Sequence, residues 1–581
     1  MSWIFGYVGE NPSALEPELL RLSNTGILHK DSGTRHFITA GGLKDTCLGG
    51  DLPAGGRWMV VGLGIKRQDD RCRFLDAQDW RAILAVADPD LSRLDGHFVV
   101  VRRRGDVAEA FTDPLGIRKL SVCKSSHGIA FATRLDLLVR FLGRFAIDFG
   151  QFGAHWLAVN QMSTDSQLQG IERVGPGGHL RIKEGQYSVA SKRFTARFNG
   201  EDPRGSTFER TLSAYCRPAP NERVSIGLSG GFDSRLILAV RPSGPAHVIG
   251  HADHPDVRVA QHIADAEDVD LTCLYEEAPG QDQCLAMLTH WVTLTQVVAP
   301  AHAPLRYRWL PAMGRRGLIS IDGAGGEMAR RNYMNKVVHM GKRALRRNQA
   351  ATVLELLRVP RAGIFNKDAV ASMTHGAIEQ ITRELEALPT DSRLSAENLV
   401  DLLCLRTRIP NFFGFAQAWL DEALPAYMPF SQPAVLRAAM QVPLRLRRNG
   451  RLFMQIISSR HPRLATYPLA KGFATYPYGT SKLAAWALMR VKKGVGRVHQ
   501  LTESRQFLER VRPFALDVAH SSSVRNYHAY DPPRIARLVT EYYSGDIRRA
   551  QEVEWWLTFE MWRRMLTESA SSPLRSAPVL R

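Results

Sequence analysis

The chain has few cysteines. Cys47, Cys72, Cys123, Cys216, Cys273, Cys284 and Cys404 are scattered, and none forms a Cys-x-x-Cys pair or a metal-spaced cluster with histidine. That pattern excludes a disulfide framework and a thiolate metal site, and reduced, mostly buried thiols are expected. No apolar run approaches the ~20 residues needed to span a bilayer. The start, Met-Ser-Trp-Ile-Phe-Gly-Tyr-Val-Gly, has neither the charged nor the apolar region of a signal peptide. A cytoplasmic protein with no transmembrane segment is therefore expected. There is no internal repeat. Acidic residues are the scarcer charge, 57 against 76 basic ones, for a formal net charge of +19. Such an excess fits a nucleic-acid binder. Yet the basic clusters, Arg343, Arg346 and Arg347, then Arg445, Arg447, Arg448 and Arg451, then Arg490, Lys492, Lys493 and Arg497, lack interleaved aromatics, and no nucleic-acid module accompanies them. No nucleic-acid partner is expected; an Arg-rich proteome or an acidic peptide surface accounts for the charge.

At 581 residues the chain has room for two or more domains. Up to about residue 200 it reads as β-rich, with short apolar runs such as Trp58–Gly62 and His97–Arg102 between Gly, Asp and Pro turn signals. Helices are expected from Leu135 and Phe152. The polar segment 193–221, carrying Pro203, Pro218 and Pro220, reads as the join. From Val224, apolar strands such as His247–Gly250 and Leu318–Asp322 alternate with amphipathic helices such as Arg258–Glu267, which predicts a parallel α/β sheet. Beyond about residue 340 the pattern is mainly helical.

One segment carries chemistry. An apolar strand ending at Leu228 runs into Ser229-Gly230-Gly231-Phe232-Asp233-Ser234, and Leu236–Val240 continue with helical character. Glycines let a backbone approach an anion, and free N–H groups at a helix start point toward negative charge. Ser229 and Ser234 add hydroxyl donors. Asp233 repels a phosphate unless a divalent cation bridges them, so the expected ligand is a Mg-nucleotide.

This loop resembles the Ser-Gly-Gly-x-Asp-Ser pyrophosphate loop of the ATP pyrophosphatases, and differs from the Gly-x-x-x-x-Gly-Lys-Ser/Thr loop of kinases. Over nearly its whole length the chain resembles the asparagine synthetase superfamily. The fold class this implies is α+β and α/β. Residues 1–200 would form a degenerate class II glutamine amidotransferase-like, Ntn-hydrolase-like αββα domain. Residues 201–581 would form an ATP-dependent synthetase-like domain, an adenine-nucleotide α-hydrolase-like parallel sheet with a helical extension. For the first domain the resemblance rests on Leu94-Asp-Gly96-His-Phe98, Asp113-Pro-Leu-Gly116-Ile-Arg118, Phe131-Ala-Thr133 and Gly170–Gly177, in that order. A working glutaminase exposes a cysteine after Met1, whose thiol attacks glutamine. Here position 2 is Ser2, three residues ahead of Phe5, which stands before the Gly6-Tyr7-Val8-Gly9 strand. The nucleophile is missing, so the nitrogen must arrive as an amine on the substrate.

In the second domain, Ile321-Asp322-Gly323-Ala324-Gly325-Gly326-Glu327 resembles the synthetases' second loop, aligned through Tyr333. That register puts Glu327 in the place of the second metal-binding aspartate and Ala324 where a glutamate or, in β-lactam synthetases, a tyrosine is expected. The nucleotide contacts implied are Leu228, Ser229, Gly230, Gly231, Asp233, Ser234, Ile249 beside the adenine, Asp322 and Gly323; the metal ligands implied are Asp233 and Glu327. Asp256 reads as a helix N-terminal charge. Ile409-Pro410-Asn411 and Met428-Pro429-Phe430 resemble segments flanking the acceptor pocket, where the usual acidic residue is replaced near Pro425 and Glu422 is the nearest carboxylate. Lys471-Gly472-Phe473 resembles the element whose lysine neutralises pyrophosphate and the oxyanion, which makes Lys471 the catalytic candidate.

Among synthetase relatives without the glutaminase cysteine, the chain resembles a lasso peptide macrolactam cyclase in its divergent second loop, altered acceptor region and helical end, Trp555 to Trp562. The expectation is ATP- and Mg²⁺-dependent adenylation of an Asp or Glu side chain in a precursor peptide, with ring closure by its N-terminal amine. A leader peptidase and a leader-binding protein are the partners implied. The alternatives are a β-lactam synthetase-like or other amide-forming enzyme acting on a small molecule, or a non-catalytic or nucleic-acid-binding relative; intact Asp233 and Lys471 argue against the last. Because Ser2 stands where a thiol is required, incubation with glutamine yields glutamate only at background, measured enzymatically, and Ser2→Ala leaves that background unchanged.

Overall fold

The structure is a computed structural model and describes residues 2–22, 26–219, 223–241, 243–471, 474–480, 482–495 and 501–574. Two antiparallel sheets stack face to face. In the first, Trp3–Gly9 runs between His36–Gly41 and Gly128–Ala132, with Leu120–Lys124 and Ile171–Val174 beyond. The second is centred on Arg57–Gln68, Asp95–Arg104 and Val107–Thr112. Strand periodicity sends alternate residues to opposite faces. Ile4, Ile38 and Phe131 meet Met59, Val61, Val99 and Val101 between the sheets. Trp3, Phe5 and Tyr7 point the other way, onto the helices Leu135–Leu142 and Phe149–Leu157. Trp58, Val60, Phe98 and Val100 take Trp80 and Leu84 of the helix Ala77–Ala85. The order is helix, sheet, sheet, helix, and these strands read as continuous apolar runs because both faces are covered.

Sequence and structure differ at three places here. The helix expected from Phe152 starts at Phe149, because the Asp148 carboxylate accepts the Gln151 N–H (3.0 Å) and caps it. The expected join contains a core helix, Ser206–Tyr215, and Pro218–Ala219, which pairs with Arg71–Phe74 as the edge strand of the second sheet. Proline is tolerated at such an edge. Ser2 directly precedes Trp3, the first residue of its strand, which begins three residues earlier than the Gly6-Tyr7-Val8-Gly9 register implied. Its buried hydroxyl lies 2.6 Å from that of Thr46 and accepts the Leu43 N–H at 3.1 Å.

The second half holds a five-stranded sheet, all parallel, in the order Leu271–Leu274, Ala246–Ile249, Val224–Gly227, Ile319–Ile321, Ala426–Tyr427. The strand order reverses beside Val224–Gly227, and ligands of open parallel sheets bind outside the carboxyl ends at such a switch point. The last strand, two residues long, lies in the region expected to be helical.

The halves meet along a polar seam. Asp95 accepts the Ala434 N–H (2.8 Å) and the Tyr215 hydroxyl, and Gly96 donates to Gln432 Oε1 (2.8 Å). Asp421 receives His97 Nε2 (3.0 Å), Arg118 (3.0 Å) and Gln417 Nε2 (2.8 Å). Gln380 spends its whole amide across the boundary, donating to Gly150 O and Gln151 O and accepting from Met162 N and Ser163 N. Beside it, the C-terminal helix Ala550–Ser571 packs Trp555, Phe559 and Trp562 against Phe152, Trp156 and Phe365. Among the described residues no helix is long and apolar enough to cross a membrane. All seven cysteines are free, and only Cys273 is exposed.

Burial pushes the Asp421 carboxyl up, but His97 and Arg118 outweigh it and hold the group below its ordinary 3.8. Its stabilisation is therefore present above pH 3.8 and lost as pH falls below it. Asp421→Ala leaves the buried Arg118 guanidinium without its carboxylate and His97 without its acceptor, and lowers stability by roughly 3–5 kcal/mol, read as a fall in melting temperature. A melt unchanged from wild type would show that the seam does not hold the halves.

Candidate functional site

Two loops leave neighbouring parallel strands and meet. The first, 228–231, follows Val224–Gly227 and opens the helix Phe232–Val240, whose N-cap is Gly231. It is internally bonded: Ser234 Oγ accepts the Ser229 N–H (3.0 Å), Ser229 Oγ accepts the Gly231 N–H (3.2 Å), and the two hydroxyls lie 2.9 Å apart. Gly230 N donates to Asp256 (3.1 Å), in the first turn of Pro255–Glu267, so the expected helix-terminal charge also grips the loop. The second loop follows Ile319–Ile321. Half-buried Asp322, its carboxyl raised by desolvation against one N–H bond, accepts from Ala324 N at 2.8 Å. Glycine is required where the loops touch: a Cβ at Gly323 would stand 2.7 Å from Ser234 N, and one at Gly326 would stand 2.6 Å from the Asp233 carboxyl.

Most of the expected residues are brought together. Leu228, Ser229, Gly230, Gly231, Asp233 and Ser234 share the first loop and helix start, and Gly323 lies against Asp233 and Ser234. Asp322 stands beside Gly227, whose added Cβ would lie 3.1 Å from the Asp322 Cβ. Ile249 ends the adjacent strand, opposite Leu274, and Leu228 N donates to His247 O (2.8 Å). Beneath them, burial lowers His247 to about 4, and its Nδ1 lies 2.9 Å from Ser225 Oγ. The exposed Lys471 ends the strand Leu469–Lys471, tied to the loop by Ala470 N donating to Gly230 O at 2.9 Å. Gly472 and Phe473 lie outside the described residues. Glu422 stands apart: it lies 3.2 Å from His290, while Pro425 contributes its carbonyl to Ser320 N.

Four residues of this cluster were not anticipated. Arg330 grips Asp233 with two hydrogen bonds of 2.6 and 2.8 Å. Burial pulls its guanidinium down, yet Asp233, and then Glu327, outweigh that and hold it above the ordinary arginine value. Glu327 is held in turn by Arg408 at 2.6 Å, whose guanidinium lies 4.2 Å from the centroid of Phe412. Asp233, Arg330, Glu327 and Arg408 thus alternate in charge. Arg235, fully buried, donates to the carbonyls of Leu464 (3.1 Å), Tyr467 (2.8 Å) and Pro468 (2.8 Å) and so ties the Lys471 strand to the first helix. A signal for it existed, since an arginine opening an apolar helical run has no core role without such acceptors. The fourth is Asp256 in its gripping role. Among the described residues no group of three or more His, Cys, Asp or Glu converges as a metal site.

No known protein family matches the chain, and no curated protein matches it. Among solved structures the chain is similar to a glutamine phosphoribosylpyrophosphate (PRPP) amidotransferase from B. subtilis complexed with ADP and GMP. The identity is 11%, the TM-score is 0.21, and the match covers 57% of this chain and 77% of that one. At that score the likeness assigns neither fold nor activity.

Arg235→Met leaves three buried carbonyls without their donor, at roughly 1–3 kcal/mol for each group left unpaired. Trypsin should then cut the native protein faster at Arg463 and Lys471 than it cuts wild type. Equal cleavage there would mean that Arg235 does not hold the segment.

Proposed function

We propose that this chain is an ATP-dependent amide-forming ligase of the lasso peptide cyclase type, which activates an Asp or Glu side chain of a precursor peptide and closes a macrolactam with the peptide's own N-terminal amine. The observation that carries the reading is the hydrogen bond from Ala470 N to Gly230 O, which fastens the strand ending in Lys471 to the Ser-Gly-Gly loop at the sheet's switch point. The start of the helix Phe232–Val240 and the strand carrying the exposed Lys471 then flank one loop. In this reading the αββα half is the degenerate glutaminase-like domain and the parallel sheet the adenine-nucleotide domain. The protein works in the cytoplasm beside a leader peptidase and a leader-binding protein.

The residues fit a divalent cation brought with the nucleotide. Asp233 and Glu327 both act on Arg330, so two carboxylates already surround one positive charge. Mg²⁺ takes one or two carboxylates together with phosphate oxygens. When bound there, Mg²⁺ would neutralise phosphate charge.

The peptide carboxylate oxygen attacks the α-phosphorus of ATP, the bond to the β-phosphate oxygen breaks, and pyrophosphate leaves. The peptide amine then attacks the acyl carbon, gives up a proton, and AMP leaves. Ser229, Ser234 and the N–H groups at the start of the helix Phe232–Val240 hold the departing phosphates, and Lys471 meets the charge that gathers there and on the tetrahedral oxyanion. Ile249 and Leu228 border the base. With Glu422 engaged by His290, the chain relies on proximity of the two peptide ends.

The test is incubation with cognate precursor, leader peptidase, ATP and Mg²⁺. Mass spectrometry should find a core lighter by one water, with AMP and pyrophosphate released. Asp233→Asn should abolish nucleotide turnover, and Lys471→Ala should slow closure by roughly 10²-fold. A core that stays linear, or ADP in place of AMP, would overturn the assignment.

A further inference from the structure

Away from the two loops, a small pocket with a cavity volume of about 30 Å³ opens where the first antiparallel sheet meets the helical half. Lys119, Arg134 and Arg173 reach it from the sheet side, and Phe415 closes it from the other. Arg134 is neutralised by Asp136 through two hydrogen bonds of 3.0 and 2.7 Å. Arg173 donates to the neutral amide of Asn411 at 3.1 Å. Lys119 Nζ is buried, has no hydrogen-bond partner, and lies 2.7 Å from the Phe415 ring centroid. The carboxylate on the pocket wall, Asp165, is shared with Arg383 at 3.0 Å. Lys119 and Arg173 therefore face one space with no carboxylate hydrogen-bonded to either, Asp165 acting on Arg173 and Asp113 on Lys119 only through their charge.

Such an arrangement is costly. An unpaired buried charge is penalised by several kcal/mol, and like charges add to it. Burial, with Arg173 next, drives the Lys119 ammonium well below its usual range, and burial lowers Arg173 to about 10. Donors for an oxyanion stand on the same walls. Thr133 Oγ accepts the Ile4 N–H at 3.0 Å and Ser166 Oγ accepts the Leu168 N–H at 3.1 Å, which leaves both hydroxyl hydrogens to donate. An ammonium, a guanidinium and two hydroxyls facing one cavity match a dianion with several acceptor oxygens.

We propose that this pocket is a binding site for a small dianionic oxyanion of the phosphate class, held by Lys119 and Arg173, separate from the Ser-Gly-Gly loop and independent of the ligase reading. The ligand is either free phosphate or the phosphate of a small monoester; the pocket's size excludes a nucleic-acid backbone.

The test uses the full chain and two probes, inorganic phosphate and glycerol phosphate, each against sodium chloride of equal ionic strength. Binding is read by calorimetry and by the shift in melting temperature. Wild type and Lys471→Ala should bind inorganic phosphate alike, while Lys119→Met and Arg173→Gln should each weaken it at least tenfold. Without phosphate, Lys119→Met should melt no lower than wild type, because a buried amine with no hydrogen-bond partner has gone. Glycerol phosphate binding with the same variant pattern assigns the site to monoesters; binding of phosphate alone assigns it to the free ion. Equal binding in all variants, no binding in wild type, or loss confined to Lys471→Ala would overturn the proposal. If Lys119→Met does not fold, Arg173→Gln decides in the same way.

Discussion

The buried carboxylate of Asp421 is the point on which the rest of the molecule turns. Taking that charge out of water is tolerable only because His97 and Arg118 meet it. Arg118 also donates to Val61 O and Ser2 O, so one guanidinium spans both antiparallel sheets and the helical half. Asp421 directly follows the helix Gly414–Leu420, and a few residues on the chain enters the parallel sheet at Ala426–Tyr427. Tyr427 then donates to Tyr215 O at 2.6 Å. The four-layered half and the parallel sheet are thereby set in one register, and neither can shift without exposing an unpaired charge.

The loops at the switch point carry charges that are paired locally. Asp233, Arg330, Glu327 and Arg408 balance one another, so the cluster is close to neutral as it stands. A ligand that brings both anionic oxygens and a cation replaces one balanced set with another, which costs less than bringing a phosphate alone to two carboxylates. Arg235, by contrast, bonds only to carbonyls and holds geometry alone.

The coarse architecture was readable because its signals are local. Short apolar runs between turn residues marked the antiparallel strands, and a strand, glycines and an apolar helix marked the first loop. What could not be read depends on distant partners. Ala426–Tyr427 is too short to show periodicity and becomes a strand only because Ile319–Ile321 lies beside it. Pro218–Ala219 looked like linker because proline signals a turn until a sheet edge is offered to it. Within the loops, Asp233 and Glu327 stood out by motif, whereas Arg330 and Arg408 did not, since pairing across 97 and 81 positions leaves no trace in spacing. Leu94-Asp-Gly-His-Phe98 was legible as a motif, but its work at the seam belongs to Gln432, Asp421 and Ala434 and shows only in three dimensions.

The strand that carries Lys471 has a consequence for how the protein is made. Lys471 lies 238 positions beyond Asp233, and the carbonyls that Arg235 needs lie almost as far along. At the usual pace of translation this interval lasts roughly ten to fifty seconds. Throughout it Arg235 lacks the carbonyls of Leu464, Tyr467 and Pro468, and the loop lacks the strand that bonds to Gly230. The strand that ends in Lys471 is therefore added to a pair of loops whose own residues were made well before it.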